Sequence, residues 1–125
     1  MREVENTNMI AGIQNPSSDP TSPTNGVYFQ MVNGQNLVQL RTINSSGSSV
    51  GNLLPMVDSA QTKLTFYYDA LTGLSAFFND RLILSRFGLG NIPYDVLMTP
   101  WLGAQRTVSG GGDMVIDYVY FARER

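Results

Sequence analysis

Apolar residues recur with a period of two along most of this chain, the spacing of β-strands, whose successive side chains point to opposite faces. In Met114–Phe121, Met114, Ile116, Tyr118 and Tyr120 fall on one side and Val115, Asp117, Val119 and Phe121 on the other. Both sides are apolar apart from Asp117. That predicts a central strand covered on two faces, or covered on one with the other in an interface. Between Lys63 and Asp69, Leu64, Phe66 and Tyr68 oppose Thr65, Tyr67 and Asp69. Ala70-Leu71-Thr72-Gly73 then makes a short connection, and Leu74–Asn79 carries Leu74, Ala76 and Phe78 on one side. Strand, glycine-bearing turn and strand predict a β-hairpin. Asn79-Asp80 predicts a second tight turn before a strand over Arg81–Ser85, because both side chains tolerate left-handed backbone.

The N-terminal half repeats the pattern. Val27–Val32 predicts a strand, Asn33-Gly34 a type I′ turn, and Gln35 or Asn36 to Ile43 the return strand. Met9–Ile13 and Val96–Gly103 are further strands. Pro100 has no amide hydrogen to donate, so it places the second at a sheet edge or at a bulge. Two stretches read as loops: 14–25, with three prolines, and 44–52, rich in Ser and Gly. Ser109–Gly112 is a third flexible point, Ser59–Thr62 reads as a helical turn and Ile92–Asp95 as another turn. No 3.6-residue period persists long enough for an ordinary helix. Seven or eight short strands predict an all-β fold in one domain over residues 1–125, an antiparallel two-sheet sandwich or a small barrel.

Composition narrows what such a domain does. Of 125 residues, 14% are charged, 8 basic against 10 acidic, for a net charge of −2. Globular domains average about a quarter charged, and here 36 Asn, Gln, Ser and Thr take up the difference. So few cations make a poor replacement for phosphate counterions, which argues against nucleic acid as a partner. There is no Cys and no His, which removes disulfides, thiolate nucleophiles, Cys/His metal sites and the usual catalytic triad. MREVENTNMI lacks the apolar core of a signal peptide. No apolar stretch approaches the roughly 20 residues that cross a bilayer, so no membrane is expected as a partner.

Particular segments carry a resemblance. Leu64–Asp69, Leu74–Ile83 with its Asn79-Asp80 turn, Leu97–Gly103 and Asp113–Phe121 resemble the C-terminal half of a concanavalin A-like jelly roll. That sandwich is shared by laminin-G-like domains, lectins and many glycan-binding modules. Gly26-Val27-Tyr28-Phe29 is similar to an earlier strand of the same fold, so the likeness runs from Gly26 to Arg123. The chain is short for that sandwich. The resemblance therefore implies a short or partial jelly roll, its missing strands abbreviated, supplied by another copy or chain, or left behind in a longer protein. The Asn, Gly, Ser and Thr-rich loops also resemble structural proteins of bacteriophage virions, such as head decorations, head fibres and tail-fibre domains.

Candidate chemistry is sparse. The aromatic residues are 6 Tyr, 6 Phe and Trp101, and Tyr or Trp can stack on sugar rings or anchor an interface. Tyr67, Phe77, Tyr94, Trp101 and Tyr118 are the ligand or interface candidates, because their chain neighbours alternate with core positions. Phe66, Phe78 and Phe121 read as core. Asp117 reads as a glycan or calcium ligand, or else as an acid paired with Arg81, Arg86 or Arg106 or facing solvent. Many lectins of this fold bind calcium, which wants six to eight oxygens. Here Asp69, Asp80, Asp95 and Asp113 serve strand ends and turns with no D-x-D-x-D-G spacing, so no metal ligand is assigned and no cofactor is expected. Glycoside hydrolysis needs a close carboxylate pair, yet Glu3, Glu5 and Glu124 are the only glutamates and all lie at the termini. Gly110–Gly112 lack the strand and helix that give a glycine loop phosphate-binding meaning.

The expectation is a non-enzymatic structural or attachment module of a virion, bound to copies of itself or to other virion proteins. The alternative is a secreted or cell-surface carbohydrate-binding module, with glycans as partners.

Overall fold

The computed structural model describes residues 7–15, 23–31, 37–55, 61–69, 73–93 and 96–106. Several expectations lie outside these residues: the Asn33-Gly34 turn, the Met114–Phe121 strand, the glycines at 110–112, most of the 14–25 loop, and Tyr94-Asp95.

Eight strands are described: β1 (Thr7–Gln14), β2 (Gly26–Met31), β3 (Leu37–Asn44), β4 (Gly47–Pro55), β5 (Leu64–Asp69), β6 (Gly73–Phe78), β7 (Arg81–Phe87) and β8 (Thr99–Arg106). A 3-10 turn, Leu89–Asn91, follows β7. The strands form two antiparallel sheets, one ordered β4-β3-β2-β1-β8 and the other β5-β6-β7. The fold is thus all-β and sandwich-like. Among the described residues, consecutive strands pair within a sheet, the chain passes between sheets after β4 and again after β7, and β8 returns beside β1.

Alternation sets the inner face. Val27, Phe29 and Met31 of β2, Val38 and Leu40 of β3, and Leu74, Ala76 and Phe78 of β6 form one buried cluster with Ile92. Leu64, Phe66 and Tyr68 of β5 pack against it, with the Phe29 and Phe66 rings 5.6 Å apart across the layers. Each large side chain taken fully out of water contributes about 1.5–3 kcal/mol. This seam is what holds the two sheets together.

The β5-β6 hairpin pairs Asp69 with Gly73, and the turn into β7 has both Asn79 and Asp80 at positive φ. Asn79 closes it twice: its Oδ1 accepts from the Lys63 amide at 2.8 Å, and its amide donates to the Lys63 carbonyl. Pro100 sits in β8, at the edge of the described five-stranded sheet, where a missing amide hydrogen costs least.

Three expectations need correction. The 44–52 loop is mostly strand: only Ser45 and Ser46 turn, and β4 begins at Gly47. The glycine that suggested a loop is needed for packing, since a Cβ on Gly51 would lie 2.5 Å from Leu84 Cδ1 and 3.1 Å from Phe87 Cε2. Gln14 ends β1 rather than opening a loop. The loop base falls at Asn15, whose Oδ1 accepts from the Asn25 amide and whose Nδ2 donates to Thr24 Oγ1. Finally, the strand expected over Val96–Gly103 runs instead from Thr99 to Arg106.

The segment after β7 is locked onto the β3-β4 hairpin. Asn44 Nδ2 donates to the carbonyls of Gly90 and Ile92, and Ser49 Oγ lies 2.6 Å from Asn91 Oδ1. The lock seats Ile92 in the core with no exposure.

Candidate interaction faces

A sandwich offers its two outward sheet faces for recognition, and here they differ. On the smaller sheet the register puts Tyr67 opposite Ser75, Phe77 opposite Thr65, and Leu82 opposite Phe77. All these side chains point away from the core cluster. Tyr67 is 59% exposed and Leu82 53%, with Phe77 half-buried between them. Tyr67 is the diagonal neighbour of Phe77, about 7–8 Å away and within reach of an aromatic ring. The result is an apolar stripe across all three strands. Two residues singled out from the sequence, Tyr67 and Phe77, meet here. Leu82 completes the group and was not singled out.

The outward face of the larger sheet carries one unbroken cross-strand row: Val50, Arg41, Tyr28, Gly12 and Trp101. The next row holds Asn52, Gln39, Gln30, Ile10 and Gly103. Glycines shape this surface. A Cβ on Gly103 would run into the indole of Trp101, which lies across that position, and a Cβ on Gly12 would strike the backbone and Cβ of Tyr28. Trp101 is half-buried, whereas Tyr28 and Ile10 are buried. Burial pushes the Tyr28 phenol above its ordinary value, partly opposed by the neighbouring Arg41 charge.

Arg41 is half-buried, and its Nε is shielded without a hydrogen-bond partner. Its Nη1 reaches Gln30 Oε1 at 3.5 Å, at the outer limit of a hydrogen bond. Beside it Gln39 Nε2 donates to Asn52 Oδ1 at 3.2 Å.

Trp101 therefore lies on the opposite outer face from Tyr67 and Phe77. Tyr94, Asp117 and Tyr118 lie outside the described residues. Sequence reasoning missed Tyr28, Arg41, Gln30 and Gln39. Their signal was the polar half of the alternation in β2 and β3, where Val27, Phe29, Val38 and Leu40 take the core side.

Among the described residues no group of three Asp, Glu, His or Cys is placed to hold a metal ion. No described helix is long and apolar enough to cross a membrane. No protein-family model, curated protein or solved structure matches the chain.

Proposed function

We propose that this domain is a non-enzymatic contact module, a structural or attachment part of a virus particle such as a capsid decoration, head fibre or tail-fibre domain. The observation that carries the contact reading is the Tyr67–Phe77–Leu82 stripe. Apolar side chains held in water by a regular sheet gain free energy when a partner covers them, and contiguous patches of this kind mark interaction surfaces. The uncharged polar, Asn, Ser, Thr and Gly-rich loops support the virion assignment through their resemblance to phage structural proteins. The sandwich is, on this reading, a short concanavalin A-like jelly roll; the resemblance from Gly26 to Arg123 and the two-sheet architecture support it.

Sedimentation velocity over a hundredfold concentration range tests self-assembly. The wild type is expected to associate, and Leu82→Lys to remain a monomer. A wild type that stays monomeric throughout overturns contact between copies. Peptide mapping of purified virions tests the location, and absence of the chain from them overturns it.

A second reading, carbohydrate binding, is favoured by Trp101. A half-exposed indole laid across a glycine on a flat strand face has the shape that stacks on a sugar ring.

A further inference from the structure

We propose that the outer face of the larger sheet, around Arg41, selects saccharides that carry a carboxylate, as uronic and sialic acids do. The proposal rests on the carbohydrate-binding reading and names the class of sugar.

Charge is the first observation. The five strands of this sheet contain no Asp or Glu, and their cations are Arg41 and Arg106. Arg106 ends β8, three strands over from β3, so Arg41 is the cation in the cross-strand row of Val50, Tyr28, Gly12 and Trp101. Its guanidinium is partly withdrawn from water, yet it makes one long bond to a neutral amide and leaves Nε unmatched. A dehydrated cation without a counter-charge is costly. A carboxylate that engages the fork relieves that cost, through the geometry in which guanidinium and carboxylate form two parallel bonds.

The surroundings favour a sugar over an acidic peptide as the bearer of that carboxylate. Gln30, Gln39 and Asn52 place amide donors and acceptors on β2, β3 and β4 around Arg41, within about 5 Å per strand step. Amides that both donate and accept suit hydroxyl groups, which do the same. Val50, 48% exposed and directly opposite Arg41, supplies an apolar rim for the C–H face of a ring.

The test is a titration of the whole chain with a tetrasaccharide alternating glucuronate and N-acetylglucosamine, followed by calorimetry and by the Arg41 Nε–H resonance. Its carboxyl-reduced counterpart keeps every other hydroxyl and removes the charge. The acidic form is expected to bind and move the Arg41 signal, with the reduced form at least about tenfold weaker. Arg41→Gln should abolish the preference, and Arg41→Lys, which keeps the charge without the fork, should retain part of it. Asn52→Ala, at an exposed position, should weaken binding with unchanged thermal stability, which keeps the test valid if Arg41→Gln fails to fold. Equal affinity for both tetrasaccharides overturns this proposal while leaving carbohydrate binding intact. No binding to either overturns both. A Glu-rich peptide that binds as tightly as the acidic sugar overturns the choice of a saccharide.

Discussion

On the smaller sheet, outward-pointing Tyr67 and Leu82 stand 59% and 53% exposed, while on the larger sheet outward-pointing Tyr28 is 2% exposed and Ile10 3%. Both faces are built from period-two strands, and both place an aromatic ring outward. Relief separates them. Around Tyr28 the neighbouring positions Gly12 and Gly26 have no side chain, and Tyr28 Cδ1 would lie 3.2 Å from a Cβ on Gly26. A side chain at either position would press on Tyr28, so these glycines keep its place open. Around Tyr67 the partner is Ser75 and the diagonal neighbour Phe77, and the residue stays 59% exposed. An outward aromatic is thus structural where it is buried beside glycines, as Tyr28 is, and available for contact where it stays exposed, as Tyr67 does.

Truncating the two tyrosines gives the largest expected contrast. Tyr28→Ala removes a buried ring and should cost about 3–5 kcal/mol of unfolding free energy. Tyr67→Ala removes an exposed one and should stay within about 1 kcal/mol of wild type. Urea denaturation of the two variants side by side checks this. Comparable losses would show that exposure does not distinguish the faces.

Gly51→Ala comes next and asks whether the same rule holds between the sheets. The new methyl meets the Leu84 and Phe87 side chains, so β7 must shift or those chains must leave their rotamers. Overpacking of this kind costs about 1–3 kcal/mol. A thermal midpoint equal to that of the wild type would mean that β4 and β7 do not close on that glycine.

Much of the fold was legible because alternation specifies faces even when partners are misjudged. A two-residue Asn33-Gly34 turn would set Gln30 opposite Leu37, whereas the observed partner is Gln39. The slip is two residues, so every side chain keeps its face, and Val27, Phe29, Val38 and Leu40 share the core side in either register. The β5-β6-β7 meander was legible for a stronger reason: glycine in its first turn and Asn79-Asp80 in its second supply the positive φ the backbone adopts. β4 was not legible, because GSSVGN has the composition of a loop. Its place as a strand comes from the hairpin it closes with β3 and from the room Gly51 leaves for Leu84 and Phe87, a contact distant in sequence. The sites were harder still. Tyr67 and Phe77 announce themselves as outward aromatics, but Arg41 becomes notable only once Tyr28 and Gln30 of β2 and Asn52 of β4 are brought beside it.

The smallest expected effect uses pH to probe the buried side of the comparison. Tyr28 ionises above its ordinary value of 10.0 in the folded chain, chiefly because burial disfavours the phenolate. Below that value both folded and unfolded chains hold the proton, and the group leaves stability unchanged with pH. Above it the unfolded chain releases the proton first, so it is favoured, and folding stability falls as pH rises towards the folded-state value. Tyr28→Phe keeps the ring and deletes the titration. Urea unfolding at pH 9 and pH 11 should therefore show a larger alkaline loss for wild type than for Tyr28→Phe. Equal losses in the two proteins would place the Tyr28 hydroxyl in water, and the distinction between a buried and an exposed tyrosine would fail at the atom where it is most specific.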